Sequence, residues 1–94
     1  SAVIMKNEQK GDLILIGAAA AFMPYYRGLN QVMRIPKDDQ QFFTLYNILK
    51  RDHRLWVVIN RTWEFDPYGK KANLISKKSI KYELNKVQVY LHNL

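Results

Sequence analysis

The first stretch of apolar residues runs over Leu13–Ile16 and continues past Gly17 into four alanines. So short an apolar run suits either a buried strand or part of a buried helix, and periodicity does not separate the two. The alanines favour a helix, so we expect one over about residues 12–22. Pro24 disfavours helix at the residue before it, so this helix should end near there. Residues 29–34 are compatible with another helical turn.

The next element has the clearest periodicity. Its apolar positions recur with the spacings of one helical face, and they are Phe42, Phe43, Leu45, Tyr46, Ile48 and Leu49. Pro36 lies near the expected start, and Asp38 or Asp39 can cap the free amides of the first turn. Basic residues follow at the other end, where the helix dipole favours them. The pattern predicts a helix over about residues 39–52.

Beyond residue 54 the chain becomes rich in β-branched and aromatic residues, which favour strands. We expect strands at residues 55–59 and 62–65. The sequence Asp-Pro-Tyr-Gly comes next, with Pro and Gly spaced as in a turn and an Asp that can bond back to the backbone. These residues predict a reversal over residues 66–73.

The last segment, residues 79–91, fits two structures. Its apolar residues alternate as in two strands joined by a two-residue turn at residues 85 and 86, yet four of them also share one helical face. Val-Gln-Val-Tyr is a poor helical run, so we favour strands. The 94 residues suffice for one hydrophobic core. The elements together predict a small single α+β domain over residues 1–94, with N-terminal helices followed by a β-hairpin or small antiparallel sheet.

An uncharged stretch over residues 13–26 raises the alternative of a targeting segment, because small residues and upstream lysines accompany the apolar run. Asp12 directly precedes it, and it is shorter than the roughly 20 residues that span a bilayer. We therefore favour a buried core element and disfavour a membrane partner. Attachment to an anionic membrane through this segment and the basic half stays open as a third alternative. The absence of cysteine excludes disulfides and thiolate ligands. It suits a reducing compartment, so we expect a cytoplasmic protein.

Positive charge is concentrated in the second half of the chain. The net charge is +7, and from Lys50 onward ten basic residues stand against four acidic ones. This asymmetry attracts polyanions, most commonly nucleic acid, whose phosphates lysine and arginine neutralise. The candidate nucleic-acid-binding residues are Arg51, Arg54, Tyr68, Lys70, Lys71, Lys77, Lys78 and Lys81. For any one lysine a solvated surface position is the simpler explanation, so the hypothesis rests on the ensemble.

Aromatic residues are interleaved with these basic clusters. Exposed aromatic rings beside cations can stack on unpaired bases, but tryptophan in a small domain is usually buried. We therefore expect Trp56 and Trp63 to belong to the core. Tyr68, next to Gly69 and Lys70, suits the surface as well as the core.

Residues that carry catalysis or bind metals are sparse. His53 and His92 lie far apart without a recognised ligand spacing around them, so we expect no metal site. The sequence links no serine or threonine to a histidine and an acid. Glu64 and Asp66 would share one side of a strand, which makes them the best acid–base candidates, but surface ion pairs more often explain such a cluster. We predict neither an enzyme nor a cofactor.

These observations lead to two functional hypotheses. The first is a non-enzymatic nucleic-acid-binding or regulatory domain that uses the basic C-terminal half. The alternative is a protein-interaction module, an inhibitor or an assembly subunit, that binds an acidic protein surface or a second copy of the chain. Its motivation is the apolar and aromatic surplus, 48% and 13% of the residues, which could leave an exposed patch for association.

Overall fold

The computed structural model describes residues 2–77, 79–84 and 87–93. The elements follow one another as α1 (Ala2–Asn7), β1 (Leu13–Ile16), α2 (Ala19–Phe22) with a 3-10 turn at Met23–Tyr25, β2 (Gln31–Arg34), α3 (Asp39–Leu49), β3 (Leu55–Ile59), α4 (Thr62–Phe65), α5 (Lys70–Ser76), β4 (Ile80–Leu84) and β5 (Val87–His92). Within the described ranges, no helix has the length and apolar character needed to cross a membrane.

The strands form one mixed sheet in the order β2-β1-β3-β5-β4. β1 pairs in parallel with both β2 and β3, whereas β5 runs antiparallel to β3 and to β4. Parallel neighbours need a crossover connection, and the segments that contain α2 and α3 supply the two crossovers. The sheet is therefore a parallel three-stranded half extended by an antiparallel hairpin.

Helices cover both faces of this sheet. On one side, which we call the α3 face, helices α3, α4 and α5 cover a core made by residues that include Leu15, Phe42, Tyr46, Leu55, Val57, Ile59, Phe65, Ile75 and Tyr90. On the other, the α1 face, α1 and α2 cover a core that includes Ile4, Ile14, Ile16, Phe22, Trp56, Val58, Val89 and Leu91. Successive residues of a strand point to opposite faces, so both sets of β3 side chains are buried.

The expected order of N-terminal helices followed by a hairpin is wrong, because helices and strands alternate along the chain. Residues 13–16 form strand β1 instead of the first part of a helix, and only Ala19–Phe22 are helical. A parallel strand buried on both faces shows a continuous apolar run rather than alternation. Residues 29–34 likewise contain strand β2 and no helical turn. The buried core element expected within residues 13–26 is confirmed by Ile14–Ile16, which are fully buried.

The expected strand at residues 62–65 is also wrong. This segment is helix α4, and it begins after Arg61, whose positive φ of 50° turns the chain out of β3. Asp66 then accepts hydrogen bonds from the backbone N–H groups of Lys71 and Ala72, at 2.9 and 3.0 Å. The carboxylate thus caps the first turn of α5. Of the reversal predicted over residues 66–73, only residues 66–69 form a turn, which joins α4 to α5 and is not the end of a hairpin, while residues 70–73 are the first part of α5.

Three local predictions are confirmed. Helix α3 begins at Asp39 with Asp38 as its cap, which accepts a hydrogen bond from the Gln41 N–H group, although it ends three residues earlier than expected. Strand β3 occupies residues 55–59, and the last segment forms the strands β4 and β5. The two-residue turn expected at residues 85 and 86 lies outside the described residues.

Candidate functional site

The carboxyl ends of β1 and β3 lie side by side at the centre of the sheet. The chain after β1 enters α2 on the α1 face, whereas the chain after β3 enters α4 on the α3 face. A topological switch point is the place where the connections after two neighbouring strands lead to opposite faces of the sheet. Open α/β sheets bind ligands in the crevice outside this point. The switch point is therefore the first place to search for a site.

The crevice at this switch point is closed by the side chain of Asn60. Its amide oxygen accepts a hydrogen bond from the Ala18 N–H group at 2.6 Å, and its amide nitrogen donates to the Ala18 carbonyl at 3.0 Å. Gly17 allows this approach, because a Cβ at that position would lie 2.8 Å from the same amide oxygen. The Asn60 side chain therefore occupies the space between the ends of β1 and β3.

A group of three charges lies at this end of the sheet. Glu64 accepts contacts from both Lys37 and Arg61, each at 2.8 Å between nitrogen and oxygen. The hydrogen bond from Lys37 lowers the pKa of Glu64, and the positive charge of Arg61 acts in the same direction. Two cations thus share one carboxylate beside the ends of β2 and β3, and exposed Asp38 follows Lys37 in the chain.

Two large aromatic side chains are exposed in the chain segment that follows Arg61. Trp63 in α4 is 70% exposed and Tyr68 in the following turn is 84% exposed. The guanidinium carbon of Arg61 lies 5.9 Å from the centre of the Trp63 ring, a cation–π distance. We call the surface formed by Lys37, Arg61, Trp63, Tyr68 and Lys70 the carboxyl rim.

The two tryptophans have different environments. Trp56 is fully buried, as expected, and its indole N–H donates to Asp12 at 2.9 Å. The expectation that Trp63 also belongs to the core, which rested on the usual burial of tryptophan in small domains, is wrong. In α4 it is Phe65 that faces the core and leaves Trp63 on the outside.

The two lysines at the start of α5 differ as well. Lys70 is exposed, whereas Lys71 is fully buried. The Lys71 ammonium group donates to Asp39 at 2.6 Å and to the Lys37 carbonyl at 2.7 Å. Since these partners already use it, Lys71 is not available to a ligand in this conformation.

The remaining predicted residues lie away from the carboxyl rim. The Arg54 side chain is 16% exposed and forms an ion pair with the buried Asp12 at 3.1 Å. Arg51 and Lys77 are exposed at the opposite end of the sheet, after α3 and α5. Lys81 in β4 is exposed, with its ammonium group 5.9 Å from the Tyr90 ring centre. Lys78 lies outside the described residues.

Of the residues selected from the sequence, Tyr68 is exposed in the turn after α4 and Lys70 is exposed at the start of α5. The carboxyl rim adds Lys37, Arg61 and Trp63, which sequence reasoning did not select. All three follow the carboxyl ends of β2 and β3, so a correct parallel sheet would have pointed to them. The acid–base pair considered from the sequence does not form, because Glu64 is held by cations while Asp66 is buried as a helix cap. Among the described residues, no group of three or more histidines and acids is arranged to hold a metal ion.

Fold and surface together define a small α/β chain whose open sheet carries a charged, aromatic rim at its parallel end. Comparison of the chain with family models, with curated proteins and with solved structures finds no match in any of the three.

Proposed function

We propose that the protein is a non-enzymatic domain that binds single-stranded nucleic acid on the carboxyl rim. One observation carries the proposal: Trp63 is 70% exposed and has the Arg61 guanidinium group over its ring. Burial of an indole ring stabilises a small fold, so a tryptophan left in solvent at the ligand-binding end of a sheet favours a binding role. Unpaired bases stack on such rings. Replacing the aromatic residue by alanine weakens binding by about 1–3 kcal/mol per stacked base.

The charges of the carboxyl rim suit a sugar–phosphate backbone. Lys37, Arg61 and Lys70 bring three cations, against the carboxylates of Glu64 and of Asp38, which follows Lys37. Single strands expose their base faces, whereas duplexes hide them in the stack, so the combination of rings and cations favours a single strand. A second exposed ring, Tyr68, offers a stacking position for another base.

Asn60 supports a binding role over catalysis. Its side chain fills the crevice in which α/β enzymes hold substrates, through both hydrogen bonds to Ala18. The remaining surface is open, which suits an extended polymer better than a small substrate that must be shielded from water.

A second candidate uses the same surface for a protein. Tryptophan, tyrosine and arginine are the residue types that dominate binding energy at protein interfaces, and Trp63, Tyr68 and Arg61 lie close together in the chain on the carboxyl rim. In this alternative an acidic protein surface or a second copy of the chain would cover them.

A fluorescence-anisotropy titration tests the proposal. Single-stranded and duplex DNA and RNA of matched length are titrated at several salt concentrations. We expect single strands to bind more tightly than duplexes, with an affinity that falls as salt rises because counterions are released. Absence of binding to every probe at low salt would contradict the proposal. Concentration-dependent self-association, measured by sedimentation, would then favour the protein-binding alternative.

A further inference from the structure

A groove lies at the opposite end of the α3 face from the carboxyl rim. The last turns of α3 and α5 form its walls and the end of β5 closes it, and its volume is about 280 Å³. Tyr46 and Lys50 contribute from the α3 side, Leu74, Ile75 and Lys77 from the α5 side, and His92 from β5. We call this the lysine groove.

The lysine groove carries positive charge that its own walls do not neutralise. Lys50 and Lys77 both line it, and none of the described residues that line it is acidic. Lys50 and Lys77 are also the C-cap residues of α3 and α5. At the C-terminus of a helix the helix dipole contributes at most about half a negative charge. The two helix ends therefore offset only about one of the two positive charges, while exposed Arg51 and Asp52, which follow Lys50, carry opposite charges.

Apolar and aromatic groups, together with Asn47 of α3, provide the rest of the groove surface. Ile75 is buried and Leu74 is partly exposed. The Tyr46 ring lies against the edge of His92, at 6.2 Å between ring centres, and beneath Lys50, at 5.4 Å from its ammonium group. Burial raises the pKa of Tyr46, and a hydrogen bond with Ser79 lowers it in part. The groove thus combines two ammonium groups with an apolar floor.

We propose that the lysine groove binds a small organic phosphate, a phosphomonoester attached to a planar or apolar body. Two ammonium groups match the roughly −1.5 to −2 charge of a phosphomonoester at pH 7 better than they match a singly charged carboxylate. The body of the ligand would rest on Leu74 and Tyr46. Such a ligand could be a free nucleotide or the terminal phosphate of a nucleic-acid strand, since both present the same chemistry. The groove is separate from the carboxyl rim, so this site does not depend on the proposed function.

Adenosine monophosphate is a suitable probe, with adenosine and inorganic phosphate as partial ligands. Two-dimensional NMR spectra of the full chain are recorded as each compound is added. We expect saturable shifts in the amides of Asn47, Leu74 and His92 with the nucleotide, and weaker binding of both partial ligands. Equal affinity for inorganic phosphate would overturn the role of the apolar floor, and shifts confined to the carboxyl rim would overturn the site.

Lys50→Gln combined with Lys77→Gln provides the decisive variant. Both side chains are at least partly exposed, so the fold should persist, which the spectrum itself checks. We expect at least a tenfold loss of affinity for the nucleotide, the loss that removal of one charge-assisted contact brings. Lys6→Gln, an exposed lysine of α1 on the other side of the sheet, should bind as the wild type does. Unchanged affinity in the double variant would overturn the proposal.

The source of the phosphate is resolved by a competition experiment. The nucleotide is displaced with oligonucleotides of one sequence that carry or lack a 5′ phosphate. Displacement by the phosphorylated strand alone identifies a strand end as the ligand. Displacement by neither identifies a free organic phosphate. Displacement by both to the same extent would show that the groove does not recognise a phosphomonoester and would overturn the proposal.

Discussion

Lys70 and Lys71 are neighbours in the sequence but occupy different environments. Consecutive residues of a helix do not face the same way. Lys70 lies on the solvent side of α5, so the side chain of Lys71 points inward. Lys71 then lies over the Phe42 ring, at 5.9 Å from its centre, and ends between Asp39 and the Lys37 carbonyl. Its ammonium group links the start of α5 to the start of α3, so its role in this conformation is structural.

Replacing Lys71 by methionine, Lys71→Met, should therefore destabilise the fold. Methionine fills a similar volume but leaves the Lys37 carbonyl and the Asp39 carboxylate without their donor. We expect the free energy of unfolding to fall by about 1–3 kcal/mol, because the Lys37 carbonyl loses its charged donor while the partly exposed Asp39 carboxylate stays in contact with water. Urea denaturation measures it. Lys70→Met is the matched control and should change stability by less than about 0.5 kcal/mol; equal losses in both variants would contradict this account.

Tyr26 makes the stability of the protein sensitive to alkaline pH. Burial, together with the hydrogen bond that its hydroxyl donates to Glu8, raises the pKa of Tyr26 to about 12. In the unfolded chain a tyrosine titrates near pH 10, so folding favours its protonated form. This contribution is complete below about pH 10 and is lost as the pH rises through about 12.

We expect the free energy of unfolding to fall by roughly 2–3 kcal/mol between about pH 10 and 12 through this one group. The variant Tyr26→Phe should not show the loss of stability that comes from Tyr26. It should still show the loss that comes from Tyr46, because burial also raises the pKa of that residue. Denaturant melts at a series of pH values measure both proteins. Identical pH profiles for the two would contradict the assignment to Tyr26.

At the scale of elements, Asn60 joins the ends of the two central parallel strands. Both the N–H and the C=O group of Ala18 depend on its amide, and Asn60 is itself buried. Asn60→Ala should leave two backbone groups without partners, at a cost of about 1–3 kcal/mol for each that stays buried. We expect a loss of about 2–4 kcal/mol in urea denaturation. Asn73→Ala, on the exposed side of α5, is the control and should be nearly neutral.

The elements that could be predicted from the sequence are those with a local signal. Helix α3 has a one-sided apolar pattern and a side-chain cap, and β3 has a dense β-branched run, so both were found. β1 and α4 were missed for a physical reason. The burial of Leu13–Ile16 on both faces erases the alternation that marks a strand, and the aromatic residues of 62–65 favour a strand until Arg61 turns the chain into a helix.

For the whole molecule, the parallel order of β2, β1 and β3 decides which residues meet. The pairing of strands that are far apart in sequence is not encoded in any local sequence pattern. The contacts of Glu64 with Lys37 and Arg61 could therefore not be predicted from the spacing of these residues. Composition did identify an excess of positive charge. It could not show that Arg54 and Lys71 are used inside the fold, or that Lys70 and Lys77 lie at opposite ends of α5.

The charge of Lys70 should appear in the salt dependence of binding. Each phosphate contact on a single strand contributes about 0.7 to the slope of log affinity against log salt. Lys70→Gln should therefore lower affinity for a single-stranded probe and reduce that slope by about 0.7, whereas Lys6→Gln, outside the carboxyl rim, should leave the slope unchanged. Anisotropy titrations at several salt concentrations measure both. An unaltered slope in Lys70→Gln would remove this residue from the interface.

The most direct test of the carboxyl rim compares Trp63→Ala with Leu29→Ala on one single-stranded probe at low salt. Both residues are largely exposed, at 70% and 75%, so neither substitution should unfold the protein, but Leu29 precedes β2 at the other end of the sheet. If a base stacks on Trp63, its loss should weaken binding by about 1–3 kcal/mol, roughly five- to 150-fold, while Leu29→Ala binds as the wild type does. Equal affinities for all three proteins would contradict the account.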